Sequence, residues 1–298
     1  MTSPGTAPRR FRFGVVLVVP ESRDQWIEKC RRAEEFGYDV IGIPDHLGIA
    51  APFPAMMLAA SVTSRVRITS YVLNVPFYNP VLLARDVTGT DLFTGGRIEL
   101  GLGAGYVKAE FDAAGIEFGS GGRRVRQLAE ATATLRKLFA DPEFLPRPVQ
   151  PGGPPLFIAG WGDKLLRVAA ENADIIGLTG ANTNTEGTAL LPAGPIETGA
   201  RIDFLRGLLG ARFAEIELNL LVQKVVSPSE RAELVAQWGP LLPEGCAPEE
   251  APILLIGTPE QQAERLRAHR ERFGFSYFTV REDNMEKFAH VVELLRGQ

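Results

Sequence analysis

Several short stretches place reactive side chains where the backbone leaves an apolar run. In "GIPDHLGI" (42–49) Asp45 and His46 stand side by side, a fixed acceptor next to a ring that gains or loses a proton near neutral pH. Asn74 closes "VRITSYVLN", and Tyr106 follows the glycine-rich "GLGAG". Gly160, Trp161 and Gly162 form a turn in "FIAGWGDK", Thr179 and Gly180 form another, and Gln223, Lys224 and Arg281 end later runs. An acid, a histidine, an amide, a phenol, two cations and glycine-lined turns on one face would suit an anionic, ring-bearing ligand. Each member also has a plainer reading. Asp45 could cap the next helix, His46 could be structural, Asn74 could be a turn residue, and Lys224 and Arg281 could be solvated charges.

Whether these residues meet depends on the elements that carry them. Strand patterns fall at 11–19, 40–43, 66–74, 97–103, 156–160, 174–178, 215–226 and 275–280, most as nearly continuous apolar runs. Such runs are expected of parallel strands buried on both faces. Helical periodicity falls at 24–36, 79–93, 123–139, 163–172, 229–238, 259–273 and 284–296, with Asn79–Pro80 as a cap and first turn. Strand-then-helix repetition of this length predicts a (β/α)8 TIM barrel, with a doubly wound sheet as the alternative. In a barrel the C-terminal strand ends share one mouth, and the reactive residues above all lie at such ends. Residues 1–10 read as a tail and 11–298 as one domain. The polar or Pro/Gly-rich stretches 179–199 and 239–252 read as insertions, one after the sixth strand and one before the last unit.

Bulk composition narrows the partners. With 45% hydrophobic residues, 23% charged residues and a net charge of −4, the chain is a globular protein with no nucleic-acid or membrane-surface signature. No stretch approaches the ~18 apolar residues of a membrane span. Two cysteines in 298 residues make no disulfide framework, which points to a reducing compartment, the cytoplasm. There is no phosphate loop of the G-x-x-x-x-G-K type and no G-x-S-x-G elbow. A dinucleotide fingerprint in "GLGAG" fails at Tyr106, and its glycines would instead let a ring system approach the backbone. His269 and His290 lie in helical patterns away from strand ends, so no metal site is expected.

Two longer motifs, "GGRIELGLGAGYVKAEFDAAGIEF" and "PPLFIAGWGDKLLRVAAENAD", resemble the luciferase-like monooxygenase superfamily, and most closely its branch that uses the deazaflavin coenzyme F420. The resemblance runs from "FGVVL" to "EKFAHVVELL" and implies a homodimer of barrels holding a flavin-like cofactor at the strand ends. It implies that Asp45 hydrogen-bonds the deazaflavin ring and that His46 lies beside the reacting carbon as proton donor. Asn74, Ala104 and Gly105 would touch the ring, and a non-prolyl cis peptide at Tyr71–Val72 would back it. Trp161, Gly162, Lys164 and Leu165 would cradle a phosphate, which the helix N-terminus there favours, with Thr179 and Gly180 adding donors. Tyr106 stands where the sugar-phosphate dehydrogenases of the branch carry a catalytic glutamate, so it is a second catalytic candidate and glucose 6-phosphate is not the expected substrate. The implied activity is hydride transfer between F420 and a small organic molecule. An FMN-dependent monooxygenase and a non-catalytic flavin-binding protein are the alternatives.

Overall fold

The computed structural model describes residues 9–18, 22–183 and 190–298. Eight parallel strands form the wall: β1 (Arg12–Val16), β2 (Val40–Ile43), β3 (Arg67–Ser70), β4 (Ile98–Gly103), β5 (Leu156–Gly160), β6 (Ile175–Leu178), β7 (Glu217–Val222) and β8 (Phe275–Arg281). Each pairs with its neighbour in chain order, and β1 pairs with β8. The ring is therefore closed, as a (β/α)8 barrel requires, and the doubly wound alternative is excluded.

Ten helices lie among the described residues: α1 (Arg23–Glu35), α2 (Pro52–Val62), α3 (Pro80–Phe93), α4 (Lys108–Ala114), α5 (Gly121–Ala140), α6 (Asp163–Asn172), α7 (Pro195–Leu209), α8 (Arg231–Trp238), α9 (Pro259–Phe273) and α10 (Met285–Leu295). The caps follow local chemistry. Asn79 accepts from the Val81 and Leu82 amides ahead of Pro80, and Thr258 makes a reciprocal box with Gln261. Ile98, Leu100 and Leu102 of β4 are fully buried in the main core cluster. Alternate residues of the strands face inward, where Val40, Phe157, Ile175 and Tyr277 form a second, smaller cluster.

Two predicted strands are broken. The run 66–74 stops at Ser70, and Leu73–Asn74 then rejoins the side of β4 after a cis peptide at Tyr71–Val72. The run 215–226 leaves the wall after Val222, and Lys224–Val226 pairs with Leu254–Ile256 instead. Helices α2, α4 and α7 have no counterpart in the sequence reading. The stretch 179–199 holds a strand pair, Ala181–Thr183 with Leu190–Pro192, and the start of α7; residues 184–189 fall outside the described set. The stretch 239–252 holds two short 3-10 turns, Gly239–Leu241 and Pro248–Glu250. Of the predicted tail, residues 1–8 lie outside the described residues, and Arg9 donates to the Ala214 and Glu215 carbonyls.

At the N-terminal end of the strands the interior is closed by charge. Arg12 pairs with both Glu99 and Glu217, and Arg67 donates to Glu99 at 2.8 Å. Burial opposes the charge on Arg12, but the two carboxylates outweigh it and hold the guanidinium protonated. That guanidinium lies 4.7 Å from the Tyr277 ring centre. Among the described residues no helix is long and apolar enough to cross a membrane.

Candidate functional site

The chain leaves β2 at Ile43 and does not enter a helix until Pro52, whose N-cap is Ala51. Asp45 is therefore not a helix cap. Its Oδ2 accepts from the Asn74 amide at 2.8 Å and from the Tyr78 hydroxyl at 3.0 Å, tying the end of β2 to the turn after β3. Both bonds fall on Oδ2, so Oδ1 receives neither. Burial pushes the Asp45 carboxyl up from its ordinary value. The two hydrogen bonds and His46 pull it back, and Glu110 adds to the rise. Burial and the neighbouring Asp45 raise the Tyr78 phenol, which stays a donor.

His46 faces a second acid. Its Nδ1 lies 2.8 Å from Glu110 Oε1, a residue of α4. The Tyr106 ring meets the His46 ring edge-on, with centres 5.9 Å apart and planes at 88°. Tyr106 is 67% exposed at the rim. Partial desolvation and Glu110 raise its phenol, with Arg281 opposing. Asp45, His46, Asn74, Tyr78, Tyr106 and Glu110 thus form one polar group at the barrel mouth.

Asn74 is 6% exposed, and its side-chain Oδ1 is buried with no partner. It lies against Gly105, whose φ is +72° and whose missing Cβ would overlap Oδ1 and press on the Phe111 ring. Glycine is required there both for the backbone angle and for the space. Ala104, beside it, is half-buried. The preceding glycines have a different use from the one their spacing suggests. A Cβ on Gly101 would strike the Ser70 carbonyl, and one on Gly103 the Val72 side chain at 2.6 Å. That space belongs to the protein's own third strand, not to a ligand ring.

The remaining candidates divide. Tyr71 turns into the barrel, donating to Asn219 Oδ1 at 2.9 Å with its ring 5.2 Å from Phe157. The Trp161 indole is buried and donates to Glu197 of α7 at 3.0 Å. Gly162 is the N-cap of α6, and Leu165 packs over Gly160, where a Cβ would meet its Cδ1 at 2.7 Å. Lys164 is exposed, and its Nζ reaches the start of α5, 3.6 Å from where a Gly122 Cβ would stand. The N-termini of α5 and α6 therefore lie together with one ammonium between them. The Thr179 hydroxyl donates to the Ala181 carbonyl, and Gly180, at φ +63°, has Ile253 filling its Cβ position. Lys224 and Arg281 both face Asp283, at 2.8 Å and 3.8 Å. His269 is a core histidine, held neutral by burial and by Arg265 and Arg272, which push its pKa down to about 3.

Sequence reading did not single out Tyr78 or Glu110. Tyr78 sits in an ordinary-looking turn, and Glu110 is one acid among several on a short helix.

A family model described as luciferase-like monooxygenase matches residues 10–193, more than half of the chain. The chain belongs to the luciferase-like monooxygenase family. Among relatives in this family, an F420-dependent glucose-6-phosphate dehydrogenase of Kribbella flavida is 29% identical over 300 residues, covering 85% of this chain and 86% of that protein. The oxygenase component of a flavin-dependent trigonelline monooxygenase of Acinetobacter baylyi is 27% identical over 166 residues. That match takes in 50% of this luciferase-like chain and 46% of the relative, so it spans about half the relative's length. An F420-dependent secondary alcohol dehydrogenase, solved with an F420–acetone adduct, superposes with a TM-score of 0.73 at 17% identity, covering 97% of this chain and 100% of that one. At that identity the likeness is one of fold.

Proposed function

We propose that this luciferase-like oxidoreductase uses coenzyme F420 to move a hydride to or from a small organic substrate at the barrel mouth. The observation that carries the reading is the unpartnered Asn74 Oδ1, buried against Gly105 in a residue whose backbone N–H donates to the Asp45 carboxylate. A buried acceptor without a donor costs about 1–3 kcal/mol, and an N–H on a ring-bearing ligand would relieve it. The long match to an F420-dependent dehydrogenase supports the same reading.

The residues present suit such a coenzyme. Asp45, Asn74, Ala104 and Gly105 would hold the ring, with Tyr71–Val72 behind it. The backbone of Trp161–Gly162, the Lys164 ammonium and the two adjoining helix N-termini would take the phosphate and its anionic tail, beside Leu165, Thr179 and Gly180. When bound, F420 supplies or accepts the hydride at C5 of its deazaflavin; the protein supplies orientation and protons. His46 would exchange a proton with the substrate. Tyr106, raised and therefore protonated near neutral pH, would act as a donor.

Titrating the protein separately with F420 and with FMN, followed by fluorescence, tests the proposal. F420 should bind at least about tenfold more tightly, a difference of about 1.4 kcal/mol. FMN binding without F420 binding overturns it in favour of the monooxygenase alternative.

The homodimer implied by the family resemblance also has a face that fits it. On α3, Val81, Leu82, Leu92 and Phe93 are all exposed, and helical spacing puts them on one side. A second copy of the chain, meeting this face by two-fold symmetry, would cover it.

A further inference from the structure

Helix α4 has only seven residues, from Lys108 to Ala114, yet it is firmly seated. Phe111 is fully buried, its ring 4.8 Å from Phe77 and 5.0 Å from Phe118. Arg124 covers Phe118 at 3.9 Å and donates from Nε to the Gly105 carbonyl at 3.1 Å. Glu110 immediately precedes this anchor, so its backbone is fixed as long as Phe111 is seated. Its side chain is 14% exposed, and among the described residues its ion-pair partner is His46. Lys108, the nearest cation on the same helix, pairs with Asp112 at 2.6 Å instead.

The chemistry of the contact decides how the histidine is protonated. An ionised carboxylate accepts hydrogen bonds and donates none, so the Nδ1 facing Glu110 carries the hydrogen. A neutral imidazole then has its lone pair on Nε2, on the opposite side of the ring from Glu110. The edge of Tyr106 against the ring limits rotation about the Cβ–Cγ bond. We infer that Glu110 is a positioning residue, which through Nδ1 fixes the tautomer and plane of His46 so that Nε2 is the nitrogen that exchanges a proton with the substrate. In the reducing direction a carbonyl carbon gains the hydride that the reduced coenzyme proposed above would supply. Its oxygen takes the Nε2 proton of the doubly protonated His46 ring, which is left as the neutral imidazole with Nδ1–H on Glu110 until solvent restores the Nε2 proton. The role of Nε2 rests on the function proposed above; the tautomer does not.

The tautomer can be read without cofactor or substrate. The chain has three histidines, so a nitrogen–proton correlation spectrum of protein labelled with 15N-histidine contains few ring signals. His46→Gln identifies the one from residue 46. In the unaltered protein the neutral His46 should carry its proton on Nδ1. Glu110→Ala should lower the ratio of the Nδ1–H to the Nε2–H form by about tenfold or more, the factor set by losing a charge-assisted hydrogen bond. Lys108→Ala, two residues away on the same helix, should leave it unchanged. An Nε2–H tautomer in the unaltered protein, or a ratio indifferent to Glu110→Ala, overturns the inference. An equal response to Lys108→Ala also overturns it, since the integrity of α4 and not the carboxylate would then set the tautomer. Because the measurement uses cofactor-free protein, none of these outcomes depends on whether F420 binds.

Discussion

Asp45 shows how one buried carboxylate can cost stability at neutral pH. Burial holds its carboxyl above the ordinary value of 3.8, so the folded protein binds this proton more readily than the unfolded chain. The resulting contribution to stability is complete below the ordinary value and is lost as pH rises through the raised one. Asp45→Asn removes that loss while keeping an oxygen for the Asn74 amide and the Tyr78 hydroxyl. Its melting temperature at pH 7 should equal or exceed that of the unaltered protein, with a flatter pH dependence on the acid side. F420 affinity should fall by about 1–3 kcal/mol if the free oxygen serves the ring. A lower melting temperature with unchanged affinity would make Asp45 a purely structural residue. The Asp45–His46 pair was legible in the sequence because it directly follows a short apolar strand. Glu110 and Tyr78 were not, since their importance comes from meeting residues far away in the chain. No local pattern encodes that meeting.

At the scale of elements, glycines separate close packing from mere backbone freedom. Gly101 of β4 has the Ser70 carbonyl where its Cβ would be, and a backbone group cannot rotate away. Gly207, exposed near the end of α7, has nothing within 4 Å of that position. Gly101→Ala should therefore destabilise by at least about 1–3 kcal/mol, the range for an overpacked interior. Gly207→Ala should stabilise by about 0.5–1 kcal/mol through helix propensity. Thermal unfolding of both variants checks the pair, and equal effects would mean that β3 and β4 are less tightly apposed than described. The same elements show what pattern reading reaches. The wall strands and the helices with clear amphipathic stripes, such as α5 and α6, were placed within a few residues. Helix α2 was missed because it is apolar all round, α4 because it is too short to show a period, and α7 because Pro195, Gly199 and Gly207 look like loop residues. The break at Tyr71–Val72 is invisible to hydropathy, which sees one continuous apolar run from 66 to 74.

For the whole molecule, the exposed face of α3 sets the expected assembly. Phe93 is 76% exposed in the single chain, so Phe93→Glu should leave the monomer's fold intact while placing like charges across a two-fold contact. Sedimentation should show a dimer for the unaltered protein and a monomer for the variant; an unaltered protein that sediments as a monomer excludes this contact. The closed floor of the barrel bears on traffic. Arg12, Arg67, Glu99 and Glu217 are locked together at one end, and Tyr71, Phe157, Asn219 and Tyr277 fill the interior above them. Among the described residues the barrel is therefore blocked from below, and a ligand of its mouth comes and goes from above. If the coenzyme and substrate proposed above share that side, they must queue: whichever settles deeper arrives first and departs last, an order imposed by the architecture before affinity has any say.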